Sequence, residues 1–142
     1  LAERDARGAW RRLDYRSVRR QVGAIAQGLL DRALPPGPVV VLSANAVDHA
    51  LLLLAAMHIG RPVCTVSSAY CRLSKDSAKS HAILDQLEPA LLYAGDAAVY
   101  GPAMASWQGQ ALRVFSKGAE TVPGALPFGN HHRVLGLAEP HP

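Results

Sequence analysis

Val39-Val40-Val41-Leu42-Ser43-Ala44-Asn45 follows the breaker Pro35-Pro36-Gly37-Pro38 and leads into the apolar run Leu51-Leu52-Leu53-Leu54. Four successive apolar residues, three of them β-branched, leave no polar side to turn toward water, so this run reads as a strand buried on both faces. Asn45 is placed to cap the helix that follows, which runs through Leu51 to Ile59 and stops at Gly60, with Pro62 just beyond. A second β-branched run, residues 63–66, completes a strand-helix-strand unit. Such a unit builds a parallel sheet with right-handed crossovers.

The pattern extends in both directions. Upstream, Asp14 can cap a helix whose apolar positions Val18, Val22, Ile25, Ala26, Leu29 and Leu30 fall at helical spacing, with Leu13 and Val18 placed as a hydrophobic staple. That helix is expected to end near Ala33, before the breaker. Downstream come a polar loop (67–74), a third helix (75–87) with Ala78, Ala82, Ile83 and Leu87 inward, and a third strand (91–94). A short helix (97–104) and a fourth strand (112–115) close the regular pattern. The expected fold is therefore α/β: a partial parallel sheet flanked by helices over residues 1–117. Residues 118–142 carry Pro123, Gly124, Pro127, Gly129, Pro140 and Pro142, and are expected to form an unstructured Pro/Gly-rich tail.

The bulk properties agree. A chain of 142 residues with 49% hydrophobic and 18% charged content has the composition of one globular domain. Its longest apolar stretch, residues 50–57, is far short of the roughly 20 residues a membrane helix needs. Cys64 and Cys71, with six residues between them, match no redox or zinc spacing and read as reduced thiols of a cytoplasmic protein. The net charge of +4 arises wholly within residues 1–37, where eight arginines face four acids. That cluster offers no bulky membrane wedge on an apolar helix face, so it reads as a solvated helix face rather than a nucleic-acid or membrane surface.

Open parallel sheets bind ligands beyond the carboxyl ends of their strands. That rule points to residues 43–45 and 67–70, where Asn45, Ser67, Ser68 and Tyr70 would form a polar ligand rim. Helix capping by Asn45 and ordinary loop hydrogen bonding by the serines explain the same residues, and this plainer reading is preferred. No metal site is expected: His49 and His58 read as polar-edge residues of the second helix, His81 is isolated, and His131 and His132 are adjacent without a third ligand. Cys71 beside Arg72 reads as an inert thiol. A Gly-x-Ser-x-Gly elbow, a Ser-x-x-Lys pair, a phosphate loop and a dinucleotide turn are all missing, so no catalytic residue is assigned.

One resemblance adds to this. Trp10-Arg11-Arg12-Leu13-Asp14-Tyr15 is similar to the Trp-x-x-Leu-Thr-Tyr opening of AMP-forming acyl-CoA synthetases. The strand and cap Val39-Val40-Val41-Leu42-Ser43-Ala44-Asn45 resemble their first core strand. The same order continues through Leu54-Ala55-Ala56-Met57-His58-Ile59-Gly60, Pro62-Val63-Cys64-Thr65-Val66-Ser67-Ser68-Ala69-Tyr70 and Leu87-Glu88-Pro89-Ala90-Leu91-Leu92-Tyr93-Ala94. Ser67-Ser68-Ala69-Tyr70-Cys71 and Gly118-Ala119-Glu120-Thr121-Val122-Pro123-Gly124-Ala125-Leu126-Pro127-Phe128 most resemble bacterial feruloyl-CoA synthetases. Asp14 stands where that family usually has Thr, and Ser17 where it often has Glu, which keeps the cap and removes its reciprocal partner.

The resemblance implies an enzyme that converts a carboxylate, ATP and coenzyme A, with magnesium, to acyl-CoA, AMP and pyrophosphate. It also implies a Gly-rich Ser/Thr phosphate loop, a Tyr-Gly-x-Thr-Glu segment, a ribose-binding Asp and a C-terminal lysine, none of which is matched here. The expectation is an inactive amino-terminal fragment that binds no ATP, magnesium or CoA by itself and whose partner is the remainder of the synthetase. The competing expectation is a non-catalytic α/β protein-interaction module. A basic nucleic-acid binder, resting only on the arginine cluster, is the weakest of the three.

Overall fold

A computed structural model describes residues 2–4, 8–42, 47–66, 78–129, 133–134 and 137–138. Strands β1 (Ala2–Arg4) and β2 (Trp10–Arg12) pair antiparallel ahead of helix α1 (Tyr15–Asp31). The core alternates: β3 (Val39–Val41), α2 (Val47–His58), β4 (Val63–Thr65), α3 (Ala78–Leu87), β5 (Leu91–Asp96), α4 (Ala97–Ser106) and β6 (Leu112–Lys117). A 3-10 turn (Ala119–Thr121) and strand β7 (Leu126–Pro127) follow, and then the short pair β8 (Arg133–Val134) and β9 (Leu137–Ala138).

The five described core strands lie in the order β4-β3-β5-β6-β7, all parallel to their neighbours. Counted along the chain this is the doubly wound order 2-1-3-4-5. Alternation along the strands decides which helix each side chain meets. Val39, Val41, Leu91, Tyr93 and Val114 pack with Ile25 and Leu29 of α1 and Leu51, Leu52 and Ala55 of α2. Val40, Leu42, Leu92, Ala94 and Phe115 meet Leu84 of α3 and Tyr100, Ala103 and Met104 of α4. Both faces are covered, which is why β3 and the first four residues of β5 read as unbroken apolar runs.

Local chemistry sets the element ends. Asp14 Oδ1 accepts from the Ser17 amide at 2.8 Å, and Leu13 and Val18 pack against the core together, as cap and staple require. Asp96 caps α4 in the same way, its Oδ1 accepting from the Ala98 amide at 2.9 Å. Two arginines satisfy carbonyls that no helix or strand can. The Arg61 guanidinium donates to the Pro35, Gly37 and Leu34 carbonyls, and that of Arg113 donates to the Met104, Trp107, Gly109 and Ala111 carbonyls behind α4.

Three expectations are revised. The stretch after Lys117 is not a loose tail over residues 118–129. Gly118 turns the chain at φ +78°, the 3-10 turn follows, and β7 pairs with β6 while Phe128 buries its ring edge-on to Tyr93, 5.7 Å between centroids. His49 is buried in α2 rather than at a polar edge, whereas His58 is exposed. The arginine cluster is not one helix face: Arg4, Arg11 and Arg12 lie on β1 and β2, and only Arg16, Arg19 and Arg20 lie at the start of α1. Among the described residues, no helix is long and apolar enough to cross a membrane.

Candidate functional site

The connection from β3 leads over one face to β4, while that from β5 leads over the other face to β6. Neighbouring strands whose connections diverge leave a crevice beyond their carboxyl ends, here between β3 and β5. Asn45, Ser67, Ser68 and Tyr70, with Ser43, lie outside the described residues, as do Cys71, His131 and His132. What the structure describes at this edge is the framework around the crevice, and sequence reasoning missed it.

Its axis is Asp48, in the first turn of α2. Ser116, on β6, donates its hydroxyl proton to Asp48 Oδ2 at 2.6 Å, and the Tyr93 hydroxyl on β5 lies 2.5 Å from Ser116 Oγ. A serine has one proton to give, so with that proton on Asp48 the short contact must be filled by the Tyr93 proton. The result is a directed chain from Tyr93 through Ser116 to Asp48. Burial holds the Tyr93 phenol well above its ordinary pKa, and the bond to Ser116 only partly offsets this, so Tyr93 stays a neutral donor.

The other Asp48 oxygen accepts a hydrogen bond from Arg11 Nη1 at 2.9 Å, and the same nitrogen donates to Glu3 Oε1 at 3.1 Å. The second Glu3 oxygen accepts from the Val47 amide at 3.1 Å, satisfying one of the orphan donors at the start of α2. Burial works against the Arg11 charge, but Asp48 and Glu3 outweigh it and raise the guanidinium pKa. Arg11 and Asp48, 37 positions apart in sequence, are thus joined by complementary charge. Neither Glu3 nor Asp48 belongs to a motif; only the antiparallel register Glu3↔Arg11 brings the acid to α2.

This arrangement positions groups and does not activate them. Ser116 gives its proton to a carboxylate with no imidazole between them, so no nucleophile is prepared. His81 is no base toward Ser106 either. Its Nε2 lies 2.9 Å from the Ala103 carbonyl, which can only accept, so that nitrogen carries the proton. Cys64 is a half-buried free thiol on β4, and among the described residues no group of three or more His, Cys, Asp or Glu is placed to hold a metal ion.

The geometry has counterparts. A protein described as a long-chain-fatty-acid CoA ligase from Rhodopseudomonas palustris superposes with a TM-score of 0.64 over 90% of this chain, at 21% identity. An acyl-CoA synthetase from Brucella canis gives 0.67 over 91%, at 16% identity. This is part of an acyl-CoA ligase fold. An anthranilate CoA ligase in complex with anthranoyl-AMP matches over 74% of the chain, with a TM-score of 0.59 and 11% identity. This chain spans only 32%, 22% and 20% of those three acyl-CoA ligase and synthetase chains. No protein-family model matches the sequence, and no curated protein matches it.

Proposed function

We propose that this chain is the amino-terminal part of an AMP-forming aryl- or acyl-CoA synthetase acting on a feruloyl-like acid. The reaction joins the carboxylate to ATP as an acyl-adenylate, releasing pyrophosphate, and passes the acyl group to the thiol of CoA with loss of AMP. One observation carries this reading. The synthetase-like segments follow one another in order from Trp10 to Met104, on a sheet whose solved counterparts include a CoA ligase and an acyl-CoA synthetase. That one such counterpart is in complex with an aryl adenylate supports the aryl class of substrate.

The residues present do not fit ATP, magnesium or CoA by themselves. The sequence has no phosphate-cradling loop, and the polar groups around Asp48 are already satisfied by one another. In this reading the remainder of the synthetase holds the nucleotide, and the present chain supplies one wall of the crevice. The chain by itself gives no ATP-pyrophosphate exchange with ferulate, whereas the product of the uninterrupted coding region forms feruloyl-CoA. Robust exchange by the chain alone, or no thioester from the longer product with any aryl or fatty acid, overturns the proposal.

A further inference from the structure

The strand pair β1–β2 has two faces of opposite use. Glu3 and Arg11 are cross-strand partners and hold the pair to α2. The alternate positions, Arg4, Trp10 and Arg12, occupy the other side. There the Trp10 ring is 52% exposed, with the Arg4 guanidinium 4.8 Å and the Arg12 guanidinium 6.0 Å from its centroid. Both arginines are thus pre-ordered over an exposed ring, and among the described residues neither makes an ion pair. Trp10 already stands between Arg7 and Arg11 in the sequence, and the strand register brings Arg4 to it as well.

Immediately after Arg12 the chain enters a hollow of about 550 Å³ lined by Leu13, Asp14, Tyr15, Val18 and Leu54. Tyr15 is 95% exposed at its edge, and Leu54 is 40% exposed. Asp14 is the one acid in its lining, and its carboxylate is committed to the Ser17 amide. Arg16 and Arg19, also exposed, lie in the first turns of α1. Exposed Trp, Tyr and Arg beside an apolar hollow are the residue types that dominate binding energy at protein interfaces.

We propose that the outer face of β1–β2 and the adjoining hollow dock an acidic polypeptide segment that carries an apolar anchor. Charge complementarity selects the occupant: the surface is built with arginine alone, whose planar fork takes carboxylates bidentately. The apolar hollow favours the larger aliphatic or aromatic side chain of a peptide over the polar backbone of a nucleic acid, and the guanidiniums already engage the Trp10 ring on which a base would stack. The anchor enters beside Leu13, Val18 and Leu54, and its flanking carboxylates meet Arg4 and Arg12. This surface does not depend on the ligase reading.

The test is fluorescence polarisation of the full chain with a fluorescein-labelled decapeptide of Asp and Glu around a central Leu-Phe pair. Controls are the same peptide with Asn and Gln in place of the acids, and a labelled ten-nucleotide oligouridine. Saturable binding on the order of 10⁻⁵ M is expected for the acidic peptide. It should fall by about tenfold in Trp10→Ala and in Arg12→Gln, and should not change in Val99→Thr, an exposed site on α4. Absence of saturable binding, equal binding of the neutral peptide, tighter binding of oligouridine, or full binding by both surface variants overturns the proposal. Circular dichroism melts identify any variant that fails to fold, and Arg12→Gln, which changes only an exposed side chain, carries the test if Trp10→Ala does.

Discussion

A methyl group added at Gly37 would stand 2.6 Å from the Glu88 carbonyl oxygen and 3.1 Å from the Ala90 nitrogen, at a backbone φ of +137°. Those partners are backbone and cannot yield, so Gly37→Ala should cost on the order of 2–4 kcal/mol, read from urea denaturation. Sequence marked Gly37 only as part of a breaker, because the clash lies with residues 51 and 53 positions away that the fold brings alongside. Asp14 was legible in full, since a cap is a local device. The Ser17 amide, first, and then the nearby Arg16 and Arg20 charges lower its pKa. A lowered folded-state value means stability that is present above the ordinary carboxylate range and is lost as pH falls through the folded-state pKa. Thermal melts should therefore show the wild type losing its advantage over Asp14→Ala toward the acid end of that range, while the two differ steadily at neutral pH.

Among the elements, β3 and β5 were readable because burial on both faces leaves continuous apolar runs, and α1 because its stripe repeats at helical spacing. The strands missed were those without such a signature. Every residue of β2 is exposed, so it carries no burial pattern, and β1–β2 is held by the Glu3–Arg11–Asp48 bridge instead. In β7, Pro127 and the neighbouring glycines are turn signals, yet an edge position tolerates a residue with no amide proton. Phe128 is what fixes that segment, through its burial against Tyr93 and the α1–α2 core. Phe128→Ala should destabilise by about 3–5 kcal/mol. Limited proteolysis should then cut between Lys117 and Gly129 before it cuts elsewhere; a variant as stable and as resistant as the wild type would show that residues 118–129 are not part of the folded unit.

At the scale of the molecule, parallel strands alternating with helices give the doubly wound sheet and place a crevice beyond β3 and β5. The sheet followed from composition and periodicity, whereas the charged framework at its edge did not, because Glu3, Arg11, Asp48, Tyr93 and Ser116 are spread across five elements. The rim residues named from sequence, Asn45, Ser67, Ser68 and Tyr70, lie outside the described residues, and their role stays part of the proposal. That proposal is about membership in a larger enzyme: the fold matches CoA ligases, while the chain spans 20 to 32% of the matched structures. The most direct measurement is the sequence of the native coding region on both sides of this chain. The account predicts an open frame that continues into a Gly-rich Ser/Thr loop, a Tyr-Gly-x-Thr-Glu segment and a C-terminal lysine. A coding region with none of these would contradict it.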